Sequence, residues 1–195
     1  MSEQISVGYA FCGSFCTLAQ SISQLRILSE KGYALHPIMS DITYSTDTRF
    51  GKCADFIAEI ESICGRAILH TIPQVEPIGP RSYLDALIVA PCTGNTVGKL
   101  ANGIYDTSVS MAAKAQLRNH KPVILAVATN DGLSMSAGNI GRLMAVRNIY
   151  FVPMLQDDIL HKPESLIADF NKLEEALQSA LTGKQLQPVY CGAAR

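Results

Sequence analysis

The chain predicts a three-layer α/β domain, doubly wound around a six-stranded, mainly parallel sheet. Three observations predict it. Apolar runs alternate with amphipathic segments from one end to the other. The clearest runs, residues 86–90 and 123–128, are apolar at every position, as in parallel strands covered on both faces. Loops rich in glycine and hydroxyls follow these runs, where open α/β sheets place their ligands.

Residues 5–11 read as the first strand, ending at Cys12-Gly13-Ser14. Leu18, Ile22, Leu25 and Leu28 recur at three- to four-residue spacing, which predicts a helix stopping at the glycine cap of Lys31-Gly32. Residues 33–39 form the second strand, weakened by Pro37, which cannot donate to a ladder. A polar stretch, 40–48, follows it. Phe56, Ile57, Ile60 and Ile63 share one face of a helix over 51–64. Residues 67–72 read as a short third strand and the proline-rich 73–80 as a loop. Ala86-Leu87-Ile88-Val89-Ala90 is the fourth strand. A helix is expected over 107–119, with Asp106 as its N-cap, and a buried strand over 123–128. A mobile-looking connection over 133–138 leads to a short helix over 139–147, and the sixth strand covers 150–153. Ile167, Phe170, Leu173 and Leu177 place an amphipathic helix over 164–181. The reading is one Rossmann or flavodoxin-like domain over 1–182, closed by a C-terminal helix, with a tail over 183–195.

Composition narrows the function. Hydrophobic residues make up 48% and charged residues 17%, so little surface charge is available and self-association is expected. A net charge of −1 argues against a nucleic-acid partner held by phosphate neutralisation. No apolar run reaches the ~18 residues of a membrane helix, and Met1-Ser2-Glu3-Gln4 lacks a basic leader, so a cytoplasmic protein is expected. The six cysteines form no Cys-x-x-Cys pair and no zinc spacing with histidine; they read as reduced, mostly buried thiols, with no metal.

Four loops fall on one rim: Gly13-Ser14, 40–48, 91–99 and 129–138. Gly13 admits close backbone approach, and the amides opening the next helix favour a phosphate; an N-cap turn is the competing reading. Ser14 and Ser40 each offer a hydroxyl. The Walker pattern fails, because Gly94 and Gly98 are too close and Leu100 follows Lys99; Gly8 to Gly13 does not fit the dinucleotide pattern either. Asp41 alone keeps a ribose contact in view. A mononucleotide fits the single Gly-Ser turn better.

Pro91-Cys92-Thr93-Gly94-Asn95-Thr96, followed by Lys99, Ala101, Asn102, Gly103 and Asp106, resembles the Pro-Ala-Ser/Thr-Ala-Asn-Thr signature of FMN-binding flavoproteins. These include the homo-oligomeric flavin-containing cysteine decarboxylases and the flavin prenyltransferases. The resemblance implies FMN held by Gly13, Ser14, Ser40, Thr93, Asn95, Thr96 and Lys99. Asn95 would meet the pyrimidine edge of the ring, and Lys99 would neutralise a phosphate or pair with Asp106. It also implies a homo-oligomer, a trimer or a multiple of one. Over its whole length the chain is most similar to the family of dipicolinate synthase B subunits. That similarity implies oxidation of a dihydro- or hydroxytetrahydrodipicolinate to dipicolinate during sporulation, with NAD(P) brought by a partner, the A subunit of dipicolinate synthase. Arg49, Lys52 and Arg81 are candidate partners for the substrate's two carboxylates.

Two family features are absent. The loop before the fourth strand, Val75-Glu76-Pro77-Ile78-Gly79-Pro80-Arg81, carries no histidine where the decarboxylases have a catalytic one. Their Pro-x-Met-Asn clamp is replaced by Val127-Ala128-Thr129-Asn130-Asp131, in which only Asn130 matches. Cysteine-type decarboxylation is therefore not expected, and no catalytic residue is assigned. The alternatives are a non-catalytic scaffold that binds flavin or phosphate, and an independent FMN enzyme acting on another carboxylate.

Overall fold

A computed structural model describes residues 4–193. Strand β1 (Ser6–Phe11) leads to helix α1 (Leu18–Glu30), then β2 (Ala34–Met39), α2 (Asp41–Ser45) and α3 (Cys53–Cys64). Two short helices follow, α4 (Ile72–Val75) and α5 (Ile78–Arg81). Then come β3 (Ala86–Cys92), α6 (Gly94–Ala101), α7 (Ser108–Arg118), β4 (Val123–Thr129), α8 (Ala137–Met144) and β5 (Ile149–Phe151). The last elements are β6 (Met154–Asp158), β7 (Lys162–Ala168), α9 (Leu173–Leu181) and β8 (Tyr190–Ala193).

The sheet order is β2-β1-β3-β4-β7-β6-β8, with β5 also on β4. β2, β1, β3, β4 and β5 pair in parallel; β7 is antiparallel to both β4 and β6. The outer edge of β4 is shared. Val123, Ile124 and Leu125 pair with β5, while Ala128 and Thr129 pair with Ile167 and Leu166 of β7.

The continuous apolar runs have the cause read from them. In β3, Leu87 and Val89 enter one core beneath α6, α7 and α8, whereas Ala86, Ile88 and Ala90 enter the other beneath α1 and α9. Val123, Leu125 and Val127 of β4 face the first core; Ile124 and Ala126 face the second. Each large side chain buried this way stabilises the fold by about 1.5–3 kcal/mol.

The fold is the mixed α/β, mainly parallel architecture expected, with differences in its parts. Five of the six expected strands form, and the third does not. Residues 67–72 contribute one parallel bridge, Leu69 to Ile38. The Gln74 side chain then accepts from the amides of His70 and Thr71 at 2.9 and 3.0 Å, turning the chain into α4 instead of along the sheet. Pro73 is tolerated because the first helical turn needs no amide there. The expected helix over 164–181 splits: Lys162–Ala168 is strand β7, Asp169 caps a single 3-10 turn, and α9 begins only at Leu173. With β6, β7 and β8 the sheet has eight strands rather than six. The segment read as a tail, 183–195, supplies β8, which lies parallel to β6; its last two residues lie outside the described ones. No helix among the described residues is long and apolar enough to cross a membrane.

Candidate functional site

The carboxyl ends of β1, β3 and β4 open into a cleft of about 900 Å³. Its floor is the turn after β1. Ser14 donates its amide to Cys12 O at 2.8 Å, and Thr17 returns its own amide and hydroxyl to Ser14 O. This folds Gly13, Ser14, Phe15 and Cys16 into the cleft wall just before α1. With the Ser14 and Thr17 amides used inside the turn, those of Phe15 and Cys16, which open it, are the ones available to an anion.

The second wall starts at β3. Thr93 is the N-cap of α6 and accepts from the amide of Thr96 at 3.3 Å, which leaves Gly94 and Asn95 facing the cleft. Gly94 is forced by proximity. A Cβ there would stand 2.6 Å from Thr129 Oγ1, 2.8 Å from Ser136 Oγ and 2.9 Å from Asp131 Oδ1. Those three atoms are themselves linked, since Thr129 and Ser136 both donate to Asp131 Oδ1. The backbone of α6 therefore lies directly on a hydroxyl–carboxylate cluster at the end of β4.

The third wall comes from residues that the sequence pattern read as connection or helix. Lys162, Ser165, Leu166 and Ile167 of β7 line the cleft, as does Asp157 of β6, which holds the Lys162 ammonium at 2.9 Å and raises its pKa. Arg49 closes the rim, its guanidinium 4.9 Å from the Phe50 ring centroid and without a carboxylate partner among the described residues. No alternation of polar and apolar residues marks 162–168 as a strand, so nothing in the pattern singled out Lys162, and the helical spacing of Ile167, Phe170 and Leu173 set the reading instead.

Of the residues read as cofactor-binding, the structure brings Gly13, Ser14, Thr93 and Asn95 onto one cleft surface. Three stand elsewhere. Ser40 is buried, bonded to Thr43 Oγ1 at 2.8 Å as the N-cap residue of α2. Thr96 lies behind the wall and donates to Cys12 Sγ at 3.2 Å. Lys99 grips Asp106 through both carboxylate oxygens at 2.6 and 2.7 Å, which holds the Asp106 pKa down. Asp106 is thus an ion-pair partner, and the N-cap of α7 is Thr107 instead. Neither Lys52 nor Arg81 lines this cleft; Arg81 lines a separate cavity. Among the described residues, no three of His, Cys, Asp and Glu are placed to hold a metal ion.

The cleft suits a flavin mononucleotide in shape and donor set: an amide-rich turn at one end, an exposed Asn95 side chain at the other, and a backbone at Gly94 held where no side chain fits. The cysteines beneath it are packing. Burial pushes the Cys12 thiol from 9.0 up to about 11, and Cys92 well above its ordinary value. A folded-state pKa raised in this way gives stability that is complete below pH 9 and is lost as pH climbs through about 11. The urea midpoint is accordingly expected to hold steady to about pH 8 and to fall by about pH 10.5, less so in Cys12→Ala. A midpoint independent of pH over that window would contradict the assignment.

The Flavoprotein family model matches residues 1–179. The dipicolinate synthase B subunit of Bacillus subtilis (strain 168) is 40% identical over 183 residues, covering 94% of this chain and 92% of the relative. The crystal structure of the dipicolinate synthase B subunit from Bacillus halodurans superposes with a TM-score of 0.89 at 40% identity, covering 97% of each chain. An FMN-dependent cysteine decarboxylase from thioviridamide biosynthesis superposes with a TM-score of 0.58 at 26% identity, over 73% of this chain and 86% of that one. The chain belongs to the Flavoprotein family and groups within it with the B subunits of dipicolinate synthase.

Proposed function

We propose that this chain is the B subunit of a dipicolinate synthase, binding FMN in the rim cleft and working with an A subunit that brings NAD(P). The reaction is oxidation of a dihydro- or hydroxytetrahydrodipicolinate to dipicolinate, in the cytoplasm of a sporulating cell. The observation that carries this reading is 40% identity sustained over nearly the full length of both chains. Bound flavin supplies a two-electron acceptor. Gly13 and the amides of Phe15 and Cys16 would receive the phosphate, Ser14 would add a hydroxyl, and Asn95 would meet the ring's pyrimidine edge. Arg49 receives one substrate carboxylate, and Lys162, exchanging from Asp157, the other. A homo-oligomer, a trimer or a multiple of it, covers the open side of the cleft.

A scaffold role without turnover is the second reading. It is favoured by Asp131, next to the single residue, Asn130, that matches the clamp pattern: its Oδ1 is occupied by Thr129 and Ser136. Two measurements separate the readings. The purified chain is expected to show flavin absorbance or to retain added FMN through gel filtration; a colourless chain that retains none overturns the cofactor assignment. Dipicolinate formation is expected to require both chains, and full activity from the partner in isolation would leave only the scaffold reading.

A further inference from the structure

A second cavity, of about 360 Å³, lies at the β2 edge of the sheet, among residues that play no part in the cleft. Its polar lining is made of donors. Arg66 follows the left-handed Gly65 cap of α3, and Arg81 ends α5. Neither guanidinium has a carboxylate partner among the described residues. Gln74 spends its carbonyl oxygen on the His70 and Thr71 amides, so its NH2 group remains to donate. The Tyr83 ring packs 5.1 Å from the His36 ring, and His36 is anchored through Nε2 on Ser6 Oγ at 2.9 Å. None of the nine lining residues is acidic. In the rim cleft, by contrast, Arg49 and Lys162 are balanced by Asp131 and Asp157.

Both cations line this one cavity, beside Tyr83 and His36. Burial raises the Tyr83 pKa, and the charges of Arg81 and Arg66 act against that rise. Burial and Arg66 together hold the His36 pKa down. Two like charges held beside one pocket repel each other, and a doubly charged anion relieves that repulsion while satisfying both planar forks.

We infer that the pocket formed by Arg66, Arg81, Gln74, Tyr83 and His36 binds a small dianion, a phosphate monoester or a dicarboxylate, at a site separate from the rim cleft. It lies beside β2, away from the carboxyl rim, and does not depend on the flavin assignment.

The test is a titration of the full chain with inorganic phosphate in one arm and succinate in the other. Sodium chloride holds ionic strength constant, and the His36 imidazole resonances are followed by NMR. Saturable shifts are expected at millimolar concentration or below, and the arm that saturates at lower concentration names the ligand class. Arg66→Gln with Arg81→Gln is expected to weaken binding at least tenfold. Both residues are exposed, so folding is preserved, and the single Arg81→Gln variant gives an intermediate loss. Ser14→Asp in the cleft is expected to leave the titration unchanged. Shifts that fail to saturate in both arms, or that persist undiminished in the double variant, overturn the site.

Discussion

Ser14→Asp is expected to weaken FMN binding by about a hundredfold, measured as quenching of flavin fluorescence on titration with protein. Ser14 sits in the turn whose amides face the cleft, so the new carboxylate would stand against the phosphate. At an effective dielectric of about 20, two like charges about 4–5 Å apart repel by ~3–4 kcal/mol, and two orders of magnitude in affinity require about 2.8 kcal/mol. Ser14→Ala removes only a neutral hydrogen bond, ~1 kcal/mol, and is expected to cost about fivefold. The ratio between the two variants is diagnostic. Equal and small losses would move the phosphate away from this turn.

Gly94→Ala is expected to lower the melting temperature by about 2–12 °C, from ~1–3 kcal/mol of overpacking, and to reduce flavin retention. The added methyl meets three oxygen atoms that are bonded to one another, so no single side chain can swing aside. The control is Gly98→Ala, one turn further along α6. Its methyl meets only Asn139 Nδ2, at an ordinary 3.5 Å, and removing an interior helix glycine is worth about 0.5–1 kcal/mol in favour of the variant. Opposite signs at the two glycines are the expected melting result. A wild-type melting temperature for Gly94→Ala would mean that α6 slides along its axis to release the contact.

The centre of the parallel half was legible because β3 and β4 are buried on both faces, which leaves almost no polar position to confuse the pattern. The floor and second wall of the cleft were legible for a different reason. Gly13, Ser14, Thr93 and Asn95 lie within one turn of strand ends, where topology alone fixes their side of the sheet. The antiparallel addition was not. β7 is exposed at Lys162, Pro163 and Glu164, its burial begins at the polar Ser165, and it is apolar only from Leu166 onward. Its apolar end runs in helical phase with Phe170 and Leu173, so a short strand and the helix after it read as one element. Ser40, Thr96 and Lys99 show the opposite limit. Each has the side chain the signature calls for, but each is engaged locally, by Thr43, Cys12 and Asp106 respectively. A residue type is visible at such a position, while its competing partners are not.

The divided edge of β4 has a kinetic consequence. The hairpin that carries Lys162 is joined to the parallel sheet through only two paired residues, Ala128 and Thr129, and its tip exposes Ile159 and Leu160. Its ladder can therefore open without disturbing the β1-β3-β4 pairings, which are closed on both sides. Amide protons of residues 154–168 are expected to exchange with deuterium faster than those of 86–90 and 123–127, through local opening instead of global unfolding. Added FMN or a partner protein that rests on this wall is expected to slow that exchange. Uniform protection across both segments would mean that the wall and the sheet open as one unit. The rigid strands then fix where a ligand sits, while its residence time is set by how often a two-residue seam comes apart.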